Sequence, residues 1–171
     1  MNKNIILMCG LPGSGKSYQS IKYFKEHPNS VIINLDKIRE MLVGEYQLFP
    51  FDNSNYSKDL NQILFDIKHE AIANALSSNI IENIIIDETH INKKSRNKSK
   101  QLIENEWFDS YTFDYKITII YCSESENNLK YRMESPKGNS EQCWDSVINN
   151  MKKYFEIPNK DECDFLIEIK R

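Results

Sequence analysis

Short apolar runs along this chain alternate with longer stretches in which apolar residues recur every three or four positions. Runs at 4–9, 30–34, 83–87, 116–122 and 164–169 have the length and β-branched content of buried strands. Stretches at 16–26, 37–43, 58–77, 93–106, 125–133 and 140–154 predict helices. In 58–77, Leu60, Ile63, Leu64, Ile67, Ala71 and Ala75 fall mostly at three- and four-residue steps, so one face should pack on a sheet. His27-Pro28-Asn29 stops the first helix, because proline cannot continue it. Strands alternating with helices predict an α/β fold, a parallel sheet covered by helices.

In open sheets of this kind ligands bind at the carboxyl ends of strands. The polar residues following Asn34, Asp87 and Cys122 are therefore where chemistry is expected. Two segments fit neither element. Residues 44–57 form a long connection holding Tyr46, Phe49, Phe51 and Tyr56, and 134–138 is a short polar and basic hinge. Long connections in compact domains are often functional; alternatively, the four aromatics fold back on the core.

The first strand runs directly into Gly10-Leu11-Pro12-Gly13-Ser14-Gly15-Lys16-Ser17, a complete Walker A sequence. A strand delivering the chain to a glycine-rich loop lets backbone N–H groups point at a phosphate, and the following helix N-terminus adds positive potential. All eight residues are predicted triphosphate contacts, with Lys16 on the β- and γ-phosphates and the Ser17 hydroxyl on Mg²⁺. ATP and Mg²⁺ are the expected cofactors.

Phosphoryl transfer also needs an oriented nucleophile. Asp36 stands two residues past the second strand, in Asn34-Leu35-Asp36-Lys37-Ile38-Arg39. It is either an acceptor-side carboxylate or the N-cap of helix 37–43. Arg39, one turn on, shares its side and could hold an acceptor phosphate or simply be solvated. Ile84-Ile85-Ile86-Asp87-Glu88-Thr89-His90 has the Walker B form, in which the acidic residue reaches the metal through water or orients the acceptor. Asp87 and Glu88 point to opposite faces if the strand persists, and Asp87 is favoured for the metal. His90 reads as a hydrogen-bonded loop histidine. Arg132 and Lys137 flank the 134–138 hinge and form either a basic lid over the phosphates or an exposed turn. Lys93, Lys94, Arg96, Lys98 and Lys100 read as a solvated helix surface, with a nucleic-acid groove as the alternative.

Composition narrows the setting. With 171 residues and a net charge of −3, the chain suits one domain spanning 1–171 and lacks the basic balance of a general nucleic-acid binder. Cys9, Cys122, Cys143 and Cys163 show no metal-type spacing, which suggests inert thiols in a reducing compartment. One lysine precedes the first strand, so no signal peptide is read. Apolar runs reach only strand length, so no membrane span and a cytoplasmic location are expected.

The order and spacing of these pieces resemble the polynucleotide 5′-hydroxyl kinase group of P-loop kinases, itself similar to the zeta-toxin-type kinases. The matching pieces are residues 10–17, 34–39, Asp87-Glu88-Thr89-His90 with Arg96 following, Tyr131-Arg132, and Met151 through Pro158 with its closing aromatic-Glu-x-Pro. The resemblance implies a three-layer P-loop kinase fold with a five-stranded parallel sheet in the order 2-3-1-4-5. It implies Asp36 as base toward a 5′-hydroxyl, Arg39 on the acceptor's phosphate, Asp87 and Thr89 beside the acceptor, and Arg132 in the lid. Lys16, Asp36 and Arg132 would then be the catalytic set. His90 stands where many relatives have Asn, and Lys137 where relatives often show a further arginine. No Asp-x-Asp-x-Thr segment occurs, so a kinase module alone is expected. The expected partner is a 5′-OH nucleic-acid end, or else a nucleoside or nucleotide-sugar acceptor. A GTPase-type switch is disfavoured, since Asn159-Lys160-Asp161-Glu162 has Glu where Asp is needed.

Overall fold

The computed structural model describes residues 2–45, 54–104, 114–123 and 144–170. Strands β1 (Asn2–Cys9), β2 (Ser30–Ile33), β3 (Asn83–Ile86), β4 (Asp114–Cys122) and β5 (Phe165–Ile169) form one parallel sheet in the order β2-β3-β1-β4-β5. Helices are α1 (Lys16–Glu26), α2 (Leu35–Val43), α3 (Asn55–Ser77), α4 (Lys93–Glu104) and α5 (Trp144–Lys153), with a 3₁₀ turn at Lys160–Glu162. All five expected strands are present, and the sheet order is the one implied by the resemblance. The helix expected at 125–133, the residues Arg132, Lys137 and Cys143, and the aromatics Tyr46, Phe49 and Phe51 lie outside the described residues.

The sheet buries isoleucine on both faces, which is why its strands read as continuous apolar runs. One face sets Ile5, Leu7, Ile84, Ile86, Ile117 and Ile119 against Ile72, Ala75 and Leu76 of α3 and Ile103 of α4. The other gathers Ile6, Met8, Ile85, Ile120 and Cys122, with Tyr23 of α1 packed on them. This parity matters at the strand ends, because it fixes which helix each following side chain meets.

Helix α3 departs from the expected stripe. Its buried positions include Leu64, Lys68, Ile72, Ala75 and Leu76, whereas Ile63 is exposed. A lysine occupies the sheet-facing row because it finds a carboxylate there. The helix also starts three residues before the apolar pattern, since the Ser54 hydroxyl accepts the Ser57 amide at 3.1 Å.

At the opposite end of the sheet a polar row crosses three strands. Asn4 Nδ2 donates to Asn83 Oδ1 at 3.2 Å and to the Tyr23 hydroxyl at 2.9 Å, and the Thr118 hydroxyl donates to Asn4 Oδ1 at 3.0 Å. Beside it, buried Lys3 donates to the carbonyls of Ala75, Ser78 and Ile81, closing the C-terminal end of α3.

Candidate active site

β1 ends at Cys9, and the chain turns at once through the glycine-rich loop. Gly10 has φ +146°, and a Cβ there would lie 2.5 Å from Ser14 Oγ and 2.6 Å from the Cys122 carbonyl oxygen. Only glycine fits so close to backbone. Gly15 caps α1 in the left-handed region at φ +87°, with no side-chain cap and no acidic residue in the first turn. The first-turn amides are thus left to an anion. Ser14 Oγ is buried without a hydrogen-bond partner. The orphaned hydroxyl, the close-approach glycine and the uncapped helix end together fit a phosphate group.

Lys16 is 8 % exposed and donates from Nζ to the Leu11 carbonyl at 2.8 Å. Burial lowers its pKa, and the Asp87 carboxylate is the strongest of the opposing charges, with Asp36 contributing less. Ser17 is exposed in the first turn of α1. Its hydroxyl and the Asp87 carboxylate are hard oxygen donors of the kind Mg²⁺ takes.

At the end of β2 the structure corrects one expectation. Asn34, not Asp36, caps α2: its Oδ1 accepts the Lys37 amide at 3.0 Å, and the helix therefore begins at Leu35. Asp36 sits inside the first turn with its carboxylate exposed. Arg39 Nη1 meets Asp36 Oδ1 at 2.5 Å, so these two residues do share one side of the helix. The other end of the Asn34 amide, Nδ2, donates to Asp87 Oδ2 at 2.9 Å.

At the end of β3 the ladder continues one residue further, as the Asp87 amide donates to the Ile33 carbonyl at 2.9 Å. Asp87 follows Ile85 toward the α1 face, and Glu88 follows Ile84 and Ile86 toward α3. There Glu88 pairs with Lys68, both largely buried. The expectation of opposite faces therefore holds. Thr89 is tied to the glycine loop by its backbone, its carbonyl accepting the Gly10 amide at 3.0 Å.

His90 is buried with φ +42°. Its Nδ1–H donates to the Met8 carbonyl at 2.6 Å, since a carbonyl only accepts, and its Nε2 accepts from the Ser99 hydroxyl at 2.9 Å. The loop-histidine reading stands, and the left-handed φ is one that asparagine tolerates well.

Arg96 requires a second correction. It is fully buried and takes no part in a basic surface. Its Nε and Nη2 meet both oxygens of Glu162 at 2.7 and 3.0 Å, while Nη1 donates to the carbonyls of His90 at 3.0 Å and Glu156 at 2.9 Å. Lys98 of the same cluster lies over the Phe65 ring at 5.6 Å, and Lys100 donates to the Glu162 carbonyl. Glu162 belongs to the near-GTPase tetrad, whose Asn159 caps the 3₁₀ turn in a reciprocal capping box. The aromatic-Glu-x-Pro element is structural as well: Glu156 donates its amide to the Ile91 carbonyl at 2.8 Å and accepts the Lys93 amide at 2.7 Å, holding the start of α4.

Sequence reasoning missed Lys68, Glu162 and the double role of Asn34. A lysine in an apolar helical stripe was the available signal for Lys68. Asn immediately after a strand and three residues before an amide in need of a cap was the signal for Asn34.

With this geometry in place, comparison with known proteins is decisive about family. Residues 5–158 match the AAA_33 family, described as an AAA domain. The chain belongs to that family. The match takes in the glycine loop, which reads as the nucleotide site of a P-loop AAA domain. The chain is similar to human heterogeneous nuclear ribonucleoprotein U-like protein 2, 25 % identical over 96 % of this chain and spanning only 21 % of that protein. Among solved structures it resembles a fungal RNA kinase, with TM-score 0.68 and 13 % identity over 99 % of this chain and 38 % of the other. It also resembles a chain of the Pnkp1/Rnl/Hen1 RNA repair complex, with TM-score 0.60 and 19 % identity over 91 % and 48 %. A Janibacter sugar kinase matches at TM-score 0.54 and 15 % identity over 99 % and 86 %. At these identities the solved structures share the fold. Among the described residues no helix is long and apolar enough to cross a membrane.

Proposed function

We propose that this AAA_33 domain, residues 1–171 acting as one unit, transfers the γ-phosphate of ATP to the 5′-hydroxyl of a polynucleotide. The observation that carries the reading is the exposed Asp36 carboxylate, relieved of capping by Asn34 and near enough to Lys16 to act on its charge. A carboxylate held beside a phosphate loop, with a guanidinium one turn away, has the parts needed to take a hydroxyl's proton and hold a neighbouring phosphate.

In this reading Gly10 through Ser17 cradle the triphosphate, and Lys16 leaves the Leu11 carbonyl for the β- and γ-phosphates. Ser17 and Asp87 would hold Mg²⁺, which supplies charge neutralisation on the phosphate oxygens when bound. Asp36 accepts the proton of the acceptor hydroxyl as its oxygen bonds to the γ-phosphorus. The bond from that phosphorus to the β–γ bridging oxygen breaks, and ADP leaves. Arg39 grips the acceptor's phosphate, Thr89 lies beside the acceptor, and Arg132 belongs to the lid. The fungal RNA kinase and the RNA repair complex among the structural neighbours support a polynucleotide acceptor, and the sugar kinase marks the competitor.

The test is radiolabelled ATP with 5′-OH DNA and RNA oligonucleotides alongside nucleosides, nucleotide sugars and simple sugars. Label on the oligonucleotide 5′ end is the expected result. Label on a small molecule with none on oligonucleotides overturns the acceptor assignment.

A further inference from the structure

We infer that Lys68 is a positioning residue that holds Glu88 on the α3 side of the sheet, so that of the two adjacent carboxylates ending β3 only Asp87 faces the metal–nucleotide site. The inference rests on the proposed kinase reading for the role of Asp87, and on separate observations for Lys68 itself.

Lys68 is 6 % exposed and occupies the sheet-facing row of α3 between Leu64 and Ile72. Burying a lysine and a glutamate together is costly, and an apolar pair of similar volume commonly gives equal or better stability. Packing alone does not explain the pair. Its place does: Glu88 adjoins Asp87 at the carboxyl end of β3, one residue from the group that acts most strongly on Lys16. Parity turns the two carboxylates to opposite faces, but the ladder ends at the Asp87 amide, so beyond it regular strand pairing no longer enforces that alternation. The next residues are secured by other means, Thr89 through its carbonyl to Gly10 and His90 through its ring to Met8 and Ser99. For the Glu88 side chain the anchoring ion pair is with Lys68.

A second carboxylate swinging toward the α1 face would offer a divalent cation a protein-only site, drawing it away from the phosphates that Mg²⁺ prefers to bridge. Lys68 prevents this by giving Glu88 a competing charge partner. The two carboxylates are thereby given different tasks by the helices they face.

Binding of Mn²⁺, read by electron paramagnetic resonance with and without ATP, tests this directly. Lys68→Met is expected to gain ATP-independent Mn²⁺ affinity by about tenfold or more, the scale of changes in groups that orient metal ligands. Lys68→Met/Glu88→Gln should return to wild-type binding, and the Mg²⁺ concentration for half-maximal turnover should move and return in parallel. Glu88→Gln alone should leave Mn²⁺·ATP affinity unchanged, while Asp87→Asn lowers it. A Lys68→Met protein that loses only thermal stability overturns the inference. If Lys68→Met does not fold, Glu88→Gln decides: a loss of Mn²⁺·ATP affinity equal to that of Asp87→Asn overturns it. Failure of the wild type to phosphorylate any acceptor would refute the kinase reading and leave the metal-binding result to judge Lys68.

Discussion

Asn34 Nδ2 donates to Asp87 Oδ2 at 2.9 Å, joining the ends of the neighbouring strands β2 and β3 across the mouth of the site. The same side chain caps α2 through its Oδ1, so one amide both starts the helix carrying Asp36 and Arg39 and orients Asp87. Asn34→Ala should cost about 1–2 kcal/mol through the cap. It should also weaken Mg²⁺·ATP binding by freeing Asp87. Asn34→Asp separates the two functions, because it keeps a capping oxygen but sets like charges together. Thermal denaturation near wild type with weakened nucleotide binding is the expected pattern, checked by calorimetric ATP titration.

Asp36 is exposed and caps nothing, so its removal has little structural cost. Asp36→Asn should lower phosphate transfer by about 10²–10⁴, the range for loss of a general base, with ATP affinity retained. Single-turnover kinetics with labelled ATP, alongside a binding titration, checks both halves. Equal losses of binding and transfer would remove Asp36 from the role of base.

The Arg96–Glu162 pair is a stability element. Arg96→Met leaves a buried carboxylate without its partner and should cost about 3–5 kcal/mol in denaturant unfolding. Arg96→Met/Glu162→Leu should recover much of that loss, since the uncompensated charge is gone. Arg96→Lys should remain well below wild type, as a lysine cannot reproduce the two-pronged contact with Glu162 and still reach two carbonyls.

Burial holds His90 below the usual imidazole value of 6.5, against the opposing influence of Glu88 and the Met8 carbonyl and with the help of Lys68 and Arg96. A depressed folded-state pKa means that the unfolded chain binds more protons in the interval between the two values. The stabilisation from neutral His90 is therefore complete above about pH 6.5 and declines as pH falls through the lower folded value. Melting temperatures from pH 8 to pH 5 should fall more steeply for wild type than for His90→Asn, which has no ring to charge and suits the left-handed backbone. Parallel curves would show that His90 does not contribute.

Much of the architecture was legible because its signals are local. The apolar runs of β1, β3 and β4 are buried on both faces, β2 and β5 carry short apolar runs at the sheet edges, and the glycine loop needs its residue types at fixed positions. What was not legible involved partners distant in sequence. Arg96 looked like one more cation on a basic helix because Glu162, Glu156 and the His90 carbonyl reach it only through the fold. Asp36 looked like a cap because an Asp two residues past a strand suits that role, yet α2 begins earlier and Asn34 takes it. Periodicity likewise put Ile63 in the core, whereas the pairing of Lys68 with Glu88 belongs to the face that α3 turns to the sheet.

The row formed by Asn4, Asn83 and Thr118 bears on how the chain avoids folding wrongly. Apart from Thr118, β1, β3 and β4 each carry a short apolar run, Ile5 to Cys9, Ile84 to Ile86 and Ile117 to Cys122, covered above and below, and hydrophobicity alone scarcely distinguishes one alignment from another. Sliding β3 by two residues toward the carboxyl end of β1 would set Ile84, Ile85 and Ile86 beside Leu7, Met8 and Cys9, still apolar against apolar. It would also strand the Asn83 amide away from Asn4 and Tyr23 in a water-poor layer, an error worth about 1–3 kcal/mol for each unsatisfied group. The polar row therefore acts as an alignment key for a sheet whose greasy strands could otherwise zip together out of step, and it does so at the end of the sheet farthest from the chemistry.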